Sequence, residues 1–229
     1  MDKVPAFLGR LFPNVVDKVP ELVKCTGQTL YMLAVTGSIS LLLGLVLGVV
    51  LAVTRRDGIL EQVAVWTLLD RLINLFRSIP FIILLALLIP VTRAIAGTAI
   101  GTRGALVPLV FGTVPFFSRQ IESALAELDG GIVEAAESMG SGPAGIIFRV
   151  YLRESFPGIV RGATITFVSL VGLTAMAGSV GGGGLGDFAI RYGYQRFQTD
   201  VTVVTVLVLL ALVSAIQGLG NLIIRRTTH

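Results

Sequence analysis

The chain has a single cysteine, Cys25, and a single histidine, His229 at its last position. An internal disulfide is therefore impossible, and neither a Cys/His metal cluster nor a Cys–His nucleophile pair can be assembled. Charge is equally scarce. Only 14% of the residues are Asp, Glu, Lys or Arg, against about 25% in an ordinary soluble domain. With 54% hydrophobic residues and a mean hydropathy of +0.86, this composition belongs in lipid. The glycine run Gly181-Gly182-Gly183-Gly184-Leu185-Gly186 lacks the Gly-Lys-Ser/Thr ending that brings an ammonium to phosphates, so it reads as a flexible turn and not as a nucleotide loop. The net charge of +4 comes from arginines that flank apolar runs, where anionic headgroups are the nearest partner. Nucleic-acid binding is excluded on that ground.

What is present is a series of apolar runs. No Asp, Glu, Lys or Arg lies between Lys24 and Arg55 or between Asp200 and Arg225, and a third run extends from about Gly162 to Val180. Each is long enough to cross a bilayer, for which about 20 residues suffice. Two shorter runs, about 78–92 and 104–118, lengthen to full spans if Asp70, Arg71, Arg77, Arg119 and Glu122 sit near the interface or face the bundle interior. The fold predicted is an all-α integral membrane protein with five transmembrane helices, at about 27–53, 67–90, 103–124, 158–181 and 201–224. A loop of about 125–157 joins the third to the fourth.

Five spans put the termini on opposite sides. With the amino terminus outside, ten of the 18 basic side chains fall on the cytoplasmic side and eight outside, a small excess to which the pairs Arg55-Arg56 and Arg225-Arg226 directly after apolar spans add weight, and charge alone leaves the orientation open. Residues 1–26 carry Lys3, Arg10, Lys18 and Lys24, and Pro5, Pro13 and Pro20 interrupt their apolar stretches, so no cleaved signal is expected. Phe7, Leu8, Leu11, Phe12, Val15, Val16, Val19, Leu22 and Val23 recur at three and four residues, which predicts an interfacial amphipathic helix within 1–26 ahead of a transmembrane domain at 27–229.

In the loop, Leu125, Leu128, Ile132, Ala135, Ala136 and Met139 follow a helical period, with Glu127, Asp129, Glu134 and Glu137 spread over the other face. Gly140-Ser141-Gly142-Pro143 breaks the run. A second short helix follows, apolar at Ile146, Ile147, Val150 and Tyr151 and polar at Arg149 and Arg153. Three letters such as Glu-Ala-Ala alone describe any surface helix. The longer pattern, Glu134-Ala135-Ala136, then Gly140, then Pro157-Gly158-Ile159 opening the next span, resembles the cytoplasmic coupling loop of bacterial ABC importer permeases. Further stretches, among them Asn74-Leu75-Phe76-Arg77-Ser78-Ile79-Pro80, Ala175-Met176-Ala177-Gly178 and Gly183-Gly184-Leu185-Gly186, are similar to the permease of the methionine-type importer, over about 29–226. One position departs: Arg153 stands where the family commonly has proline, which leaves the second short helix less sharply ended.

The resemblance implies a permease subunit in a bacterial cell membrane, multi-pass, with the amino terminus outside and the carboxyl terminus cytoplasmic. It implies a homodimer, two cytoplasmic ABC ATPase subunits that bind MgATP in place of this chain, and an extracytoplasmic substrate-binding lipoprotein. On this reading the chain is no enzyme. Glu134, Ala135, Ala136 and Gly140 would carry ATPase coupling, and Met176 would act as a gate in the translocation path, a flexible thioether being able to close a narrow gap. Arg77 reads as an interfacial anchor and Pro80 as a kink where the second span flexes. The alternatives are a related importer for another small solute, an ATP-independent transporter or channel, and a non-transporting scaffold. Against an ATP-independent transporter, no acidic or histidine side chain sits mid-span to carry protons, and no inverted repeat is visible.

Overall fold

The computed structural model describes residues 12–227, and among these the backbone is helical almost throughout, with no strand. Lipid offers no partner for a backbone N–H or C=O, so a chain this apolar satisfies its peptide groups within helices. After a short α1 (Pro13–Val16) comes α2 (Val19–Thr54), then α3 (Val63–Ser78), α4 (Phe81–Leu87), α5 (Ile89–Ala96) and α6 (Gly101–Ala126). The loop carries α7 (Gly130–Ser138), α8 (Pro143–Ile146), a π-helical turn at Ile147–Tyr151 and α9 (Leu152–Glu154). The remainder is α10 (Phe156–Ala177) with a π-helical extension over Gly178–Gly182, α11 (Gly184–Phe188), a π-helical turn at Ala189–Tyr194, and α12 (Thr199–Thr227).

Three stretches, Val19–Thr54, Phe156–Gly182 and Thr199–Thr227, are each long and apolar enough to cross a membrane. A fourth candidate is the pair Ile89–Ala96 and Gly101–Ala126, bent by 118° at the break between them. The expected single helix over 67–90 is not what forms. Pro80 and Pro90 interrupt it, and α3, α4 and α5 replace it, with the backbone extended at Ile79 and Pro80 (ψ 123° and 134°). The first long helix also starts earlier than residue 27, at Val19, because Pro20 is tolerated in a first turn whose N–H groups have no intrahelical acceptor. Of the expected amphipathic helix over 7–23, Phe7, Leu8 and Leu11 lie outside the described residues.

The chain sorts into two units by its internal contacts. One comprises the chain up to Gly37, with Pro80–Val110 and Val168–Ile216. Here the glycine run makes a sharp break: Gly181, Gly183 and Gly184 adopt left-handed φ values of 90°, 75° and 78°. The break exposes the first N–H groups of α11, and α2 supplies acceptors for two of them. Gly184 N–H donates to Gln28 Oε1 and Leu185 N–H to Thr29 Oγ1, each at 2.9 Å. A methyl at Gly184 would lie 2.7 Å from Thr29 Oγ1 and 2.9 Å from Met32 Cε, so only glycine permits this approach. Nearby, Asn14 donates its backbone N–H (2.9 Å) and its side-chain amide (3.0 Å) to the Asp200 carboxylate. Arg191 donates to Asp187 (2.7 Å) and Glu21 (3.3 Å). Burial draws the Arg191 guanidinium down, but the hydrogen bonds and charges of Asp187 and Glu21 outweigh it and hold the group above its ordinary pKa.

The other unit comprises Ser38–Ile79, Phe111–Phe167 and the chain from Gln217. Its core joins Ala52 and Val53 of α2, Phe117, Ile121 and Leu125 of α6, and Ala136, Ile146 and Tyr151 of the loop. Helices α2 and α6 touch at glycine: a methyl on Gly44 would lie 2.7 Å from the Phe117 ring, and one on Gly48 would lie 2.7 Å from the Ser118 carbonyl oxygen, with Ile121 equally close. Small residues allow such approach, and in lipid close packing is a principal source of helix association. Replacing Gly48 with valine is predicted to cost about 1–3 kcal/mol through overpacking, seen as a lower thermal transition of the detergent-solubilised protein.

Candidate functional site

The loop between α6 and α10 is the largest polar interruption in the chain, and its local structure follows from its sequence. Asp129 caps α7, its carboxylate accepting from Gly131 N–H at 2.9 Å. At the far end Gly140 turns left-handed (φ 80°), which brings Gly140 N–H to Glu137 O (2.8 Å) and Ser141 N–H to Ala136 O (3.0 Å). These bonds satisfy carbonyls that the end of the helix would otherwise leave open. Gly142 then precedes Pro143, which opens α8 from its first turn. Beyond the π-helical turn, Ser155 ends the last turn of α9 with φ −83° and ψ 4°, and α10 begins at Phe156 with Pro157 next. Arg153 therefore does not leave the loop without an end, since Ser155 and Pro157 provide it two and four residues later.

The loop has two faces. Inward, Ala136, Ile146 and Tyr151 pack against Ala52, Val53, Phe117, Ile121 and Leu125, with Val133, Ile147 and Val150 partly buried around them. Outward stand Glu134, Ala135, Ser138 and Gly140, together with two large apolar side chains, Met139 at 79% exposure and Phe148 at 70%. The periodicity that put Leu125, Leu128, Ile132, Ala135, Ala136 and Met139 on one face does not survive. Leu125 is buried on α6, and within α7 the inward side runs through Val133 and Ala136, which leaves Ile132, Ala135 and Met139 facing out. The second short helix keeps its expected faces, with Ile146 and Tyr151 buried and Arg149 and Arg153 exposed.

Between α7 and the turn after α2 lies a cleft of about 420 Å³. Arg55, Asp57, Glu134, Glu137 and Tyr151 are among its lining residues. Asp57 holds a left-handed φ of 61°, uncommon for a residue with a side chain. Of the coupling set, Glu134, Ala135 and Gly140 are thus presented to the outside while Ala136 anchors the helix from beneath. Exposed Met139 and Phe148 beside them are apolar area left uncovered on the loop, the kind of surface that a protein partner covers. Sequence reading missed both; their signal is an apolar residue placed next to a glycine elbow and next to Arg149.

The remaining sequence candidates lie elsewhere. Met176 is the penultimate residue of α10, 42% exposed, and its carbonyl accepts from Ser179 Oγ at 2.8 Å. It belongs to an exposed line with Ile165, Ser169 and Gly172 at three- and four-residue spacing. Arg77 is exposed in the last turn of α3, where its charge complements the helix carbonyls, and Pro80 is the N-cap of α4.

Comparison with known proteins gives these features a context. A family model described as the binding-protein-dependent transport system inner membrane component matches residues 40–229. The chain is 49% identical over 208 residues to the probable D-methionine transport system permease protein MetI of Vibrio cholerae serotype O1, covering 91% of this chain and 92% of that one. It is 42% identical over 214 residues to the methionine import system permease protein MetP of Bacillus subtilis strain 168, covering 93% and 96%. Among solved structures, a chain from inward-facing conformations of the MetNI methionine ABC transporter matches with a TM-score of 0.89 at 43% identity, covering 91% of this chain and 96% of that one.

The cap at Asp129 gives a local expectation. Asp129→Ala is predicted to destabilise α7 by about 0.5–2 kcal/mol, read as faster amide hydrogen exchange across residues 130–138 with the long helices unaffected.

Proposed function

Because the chain belongs to the binding-protein-dependent transport system inner membrane component family, we propose that it is the membrane-spanning permease subunit of an ATP-driven ABC importer whose cargo is methionine, in D or L form. The observation that carries the cargo is the identity of 49% across nine-tenths of the chain to a D-methionine permease. The chain supplies the path and not the hydrolysis: nucleotide belongs to a separate ATPase subunit, as the importer resemblance implies.

On this reading five crossings are formed by α2, the broken 67–90 stretch, α6, α10 and α12, behind an interfacial segment at 1–26. The amino terminus lies outside, the carboxyl terminus and the 125–157 loop in the cytoplasm. Two copies form the permease, two ATPase subunits dock beneath it, and a lipid-anchored binding protein delivers cargo from outside. Support for the docking face comes from α7, whose outer surface offers small Ala135 and Ser138 with exposed Met139 to a groove on the ATPase. Ala136, turned inward, ties that contact to α2 and α6. When the ATPase pair closes, the docked α7 helices follow, and the permease opens outward. Closure must stabilise one permease state over the other through contacts it makes in that state alone, since a ligand without such a difference shifts no equilibrium.

Met176, half-exposed on α10 next to a flexible glycine segment, is assigned as the gate. Arg77 is assigned as an interfacial anchor and Pro80 as a flexing point in the second crossing.

The assembly is tested by purifying the chain with its ATPase and following methionine uptake into proteoliposomes. Uptake is expected to require ATP and to disappear when Glu134 and Ala135 are both replaced by arginine; uptake without any ATPase would overturn the importer reading. Met176→Ala is expected to raise passive methionine leak, measured in the same vesicles without nucleotide.

A further inference from the structure

Three charges meet between α3 and α6. The Arg119 guanidinium donates through one nitrogen to the Asp70 carboxylate and, at 3.5 Å, to the Asp70 carbonyl, and through the other to the Glu122 carboxylate. The second oxygen of Asp70 accepts from the Asn74 amide at 3.2 Å. All three charged side chains are largely shielded, at 18% exposure for Arg119, 25% for Asp70 and 16% for Glu122. Removing one partner from such a set leaves a poorly solvated charge behind, which costs more than the pair itself is worth.

The same two helices touch at one aromatic pair, Phe76 with Phe111, ring centroids 5.6 Å apart. Going from Asp70 forward to Phe76 on α3 corresponds to going back from Arg119 to Phe111 on α6, so the helices run antiparallel. Apart from these contacts α3 is weakly held. Ile73 is its only buried side chain, and Leu68, Leu72 and Leu75 are exposed. Arg119 stands seven residues from the end of α6, about two turns or ~10 Å along a stiff rod. Only Glu127, Leu128 and Asp129 separate that end from α7.

We infer that Asp70, Arg119 and Glu122 form the joint by which movement at the coupling helix α7 passes along α6 into α3, with Arg119 as the positioning residue. Glu122 fixes the guanidinium on its own helix and Asp70 takes the load on the other. One guanidinium serving two carboxylates orients the contact in two directions, which a lysine's point charge does not. This inference rests on the importer reading.

The test uses the full importer in proteoliposomes with its binding protein, and reads radiolabelled methionine taken up per phosphate released. Arg119→Gln is expected to lower that ratio about tenfold, within the range over which residues on a coupling route modulate it, while the complex still assembles by size exclusion. Asp70→Asn cuts only the α3 arm and is expected to reproduce the loss, which keeps the test decisive if Arg119→Gln fails to assemble. Combining Asp70→Arg and Arg119→Asp with Glu122→Gln reverses the arm between the helices without setting two carboxylates side by side on α6, and is expected to recover at least about a third of the wild-type ratio. An unchanged ratio, proportional loss of hydrolysis and uptake, or a swap no better than the single variants overturns the joint. Absence of ATP-dependent uptake by the wild-type complex overturns the importer reading itself, and the joint with it.

Discussion

Every feature of this chain is shaped by a solvent that cannot make hydrogen bonds. In lipid a peptide group must find its partner within the protein, and the helix is the cheapest way to provide one for every residue at once. The cost falls where a helix must break. At Gly181–Gly184 the chain turns through left-handed conformations and frees the first N–H groups of α11; Gln28 and Thr29 of α2 accept from two of them. The loop breaks follow the same rule with local means, a carboxylate at Asp129 and a left-handed glycine at Gly140. Charges obey it too: Arg119 and Arg191 are each shared between two carboxylates and not left single.

The loop between α6 and α10 has one face packed and one face open. Ala136, Ile146 and Tyr151 join the core built by Ala52, Val53, Phe117, Ile121 and Leu125, so α7 and α8 are held by the same packing that holds α2 and α6. A loop fixed in this way can transmit displacement, because close-packed interiors pass strain on and do not absorb it. The opposite face keeps small residues and two exposed apolar side chains, a surface suited to a partner and poorly suited to water.

Sequence disclosed the parts that depend on local composition. The runs at 27–53, 158–181 and 201–224 fall within long apolar helices because no charge interrupts them beyond Arg161 near the start of the second, and Gly140-Ser141-Gly142-Pro143 marks its elbow through residues with few conformational alternatives. The stretch at 67–90 was harder. A charge-poor run at about 78–92, lengthened by charges placed at the interface, reads as a span, while Pro80 and Pro90 divide it into three helices. The faces of α7 fall differently because Ala136 packs inward beside Val133 and leaves Ile132, Ala135 and Met139 outside, and apolar periodicity alone does not say which edge of a stripe the core takes. The Asp70–Arg119 pair was out of reach for another reason. Forty-nine positions separate the partners, and composition does not report which of several interfacial charges meet.

The cap on α11 also bears on how the protein is made. Gln28 and Thr29 are 156 positions ahead of the N–H groups they receive. At about 5–20 residues per second, the ribosome delivers Gly184 and Leu185 roughly 8–30 seconds after α2 has emerged. During that interval α2 carries two uncommitted acceptors, and the fragment ending before residue 184 has a helix whose natural counterpart does not yet exist. The glycine break is therefore a timed closure: the first long helix waits for one of the last, and biogenesis completes this unit only when nearly the whole chain has entered the membrane.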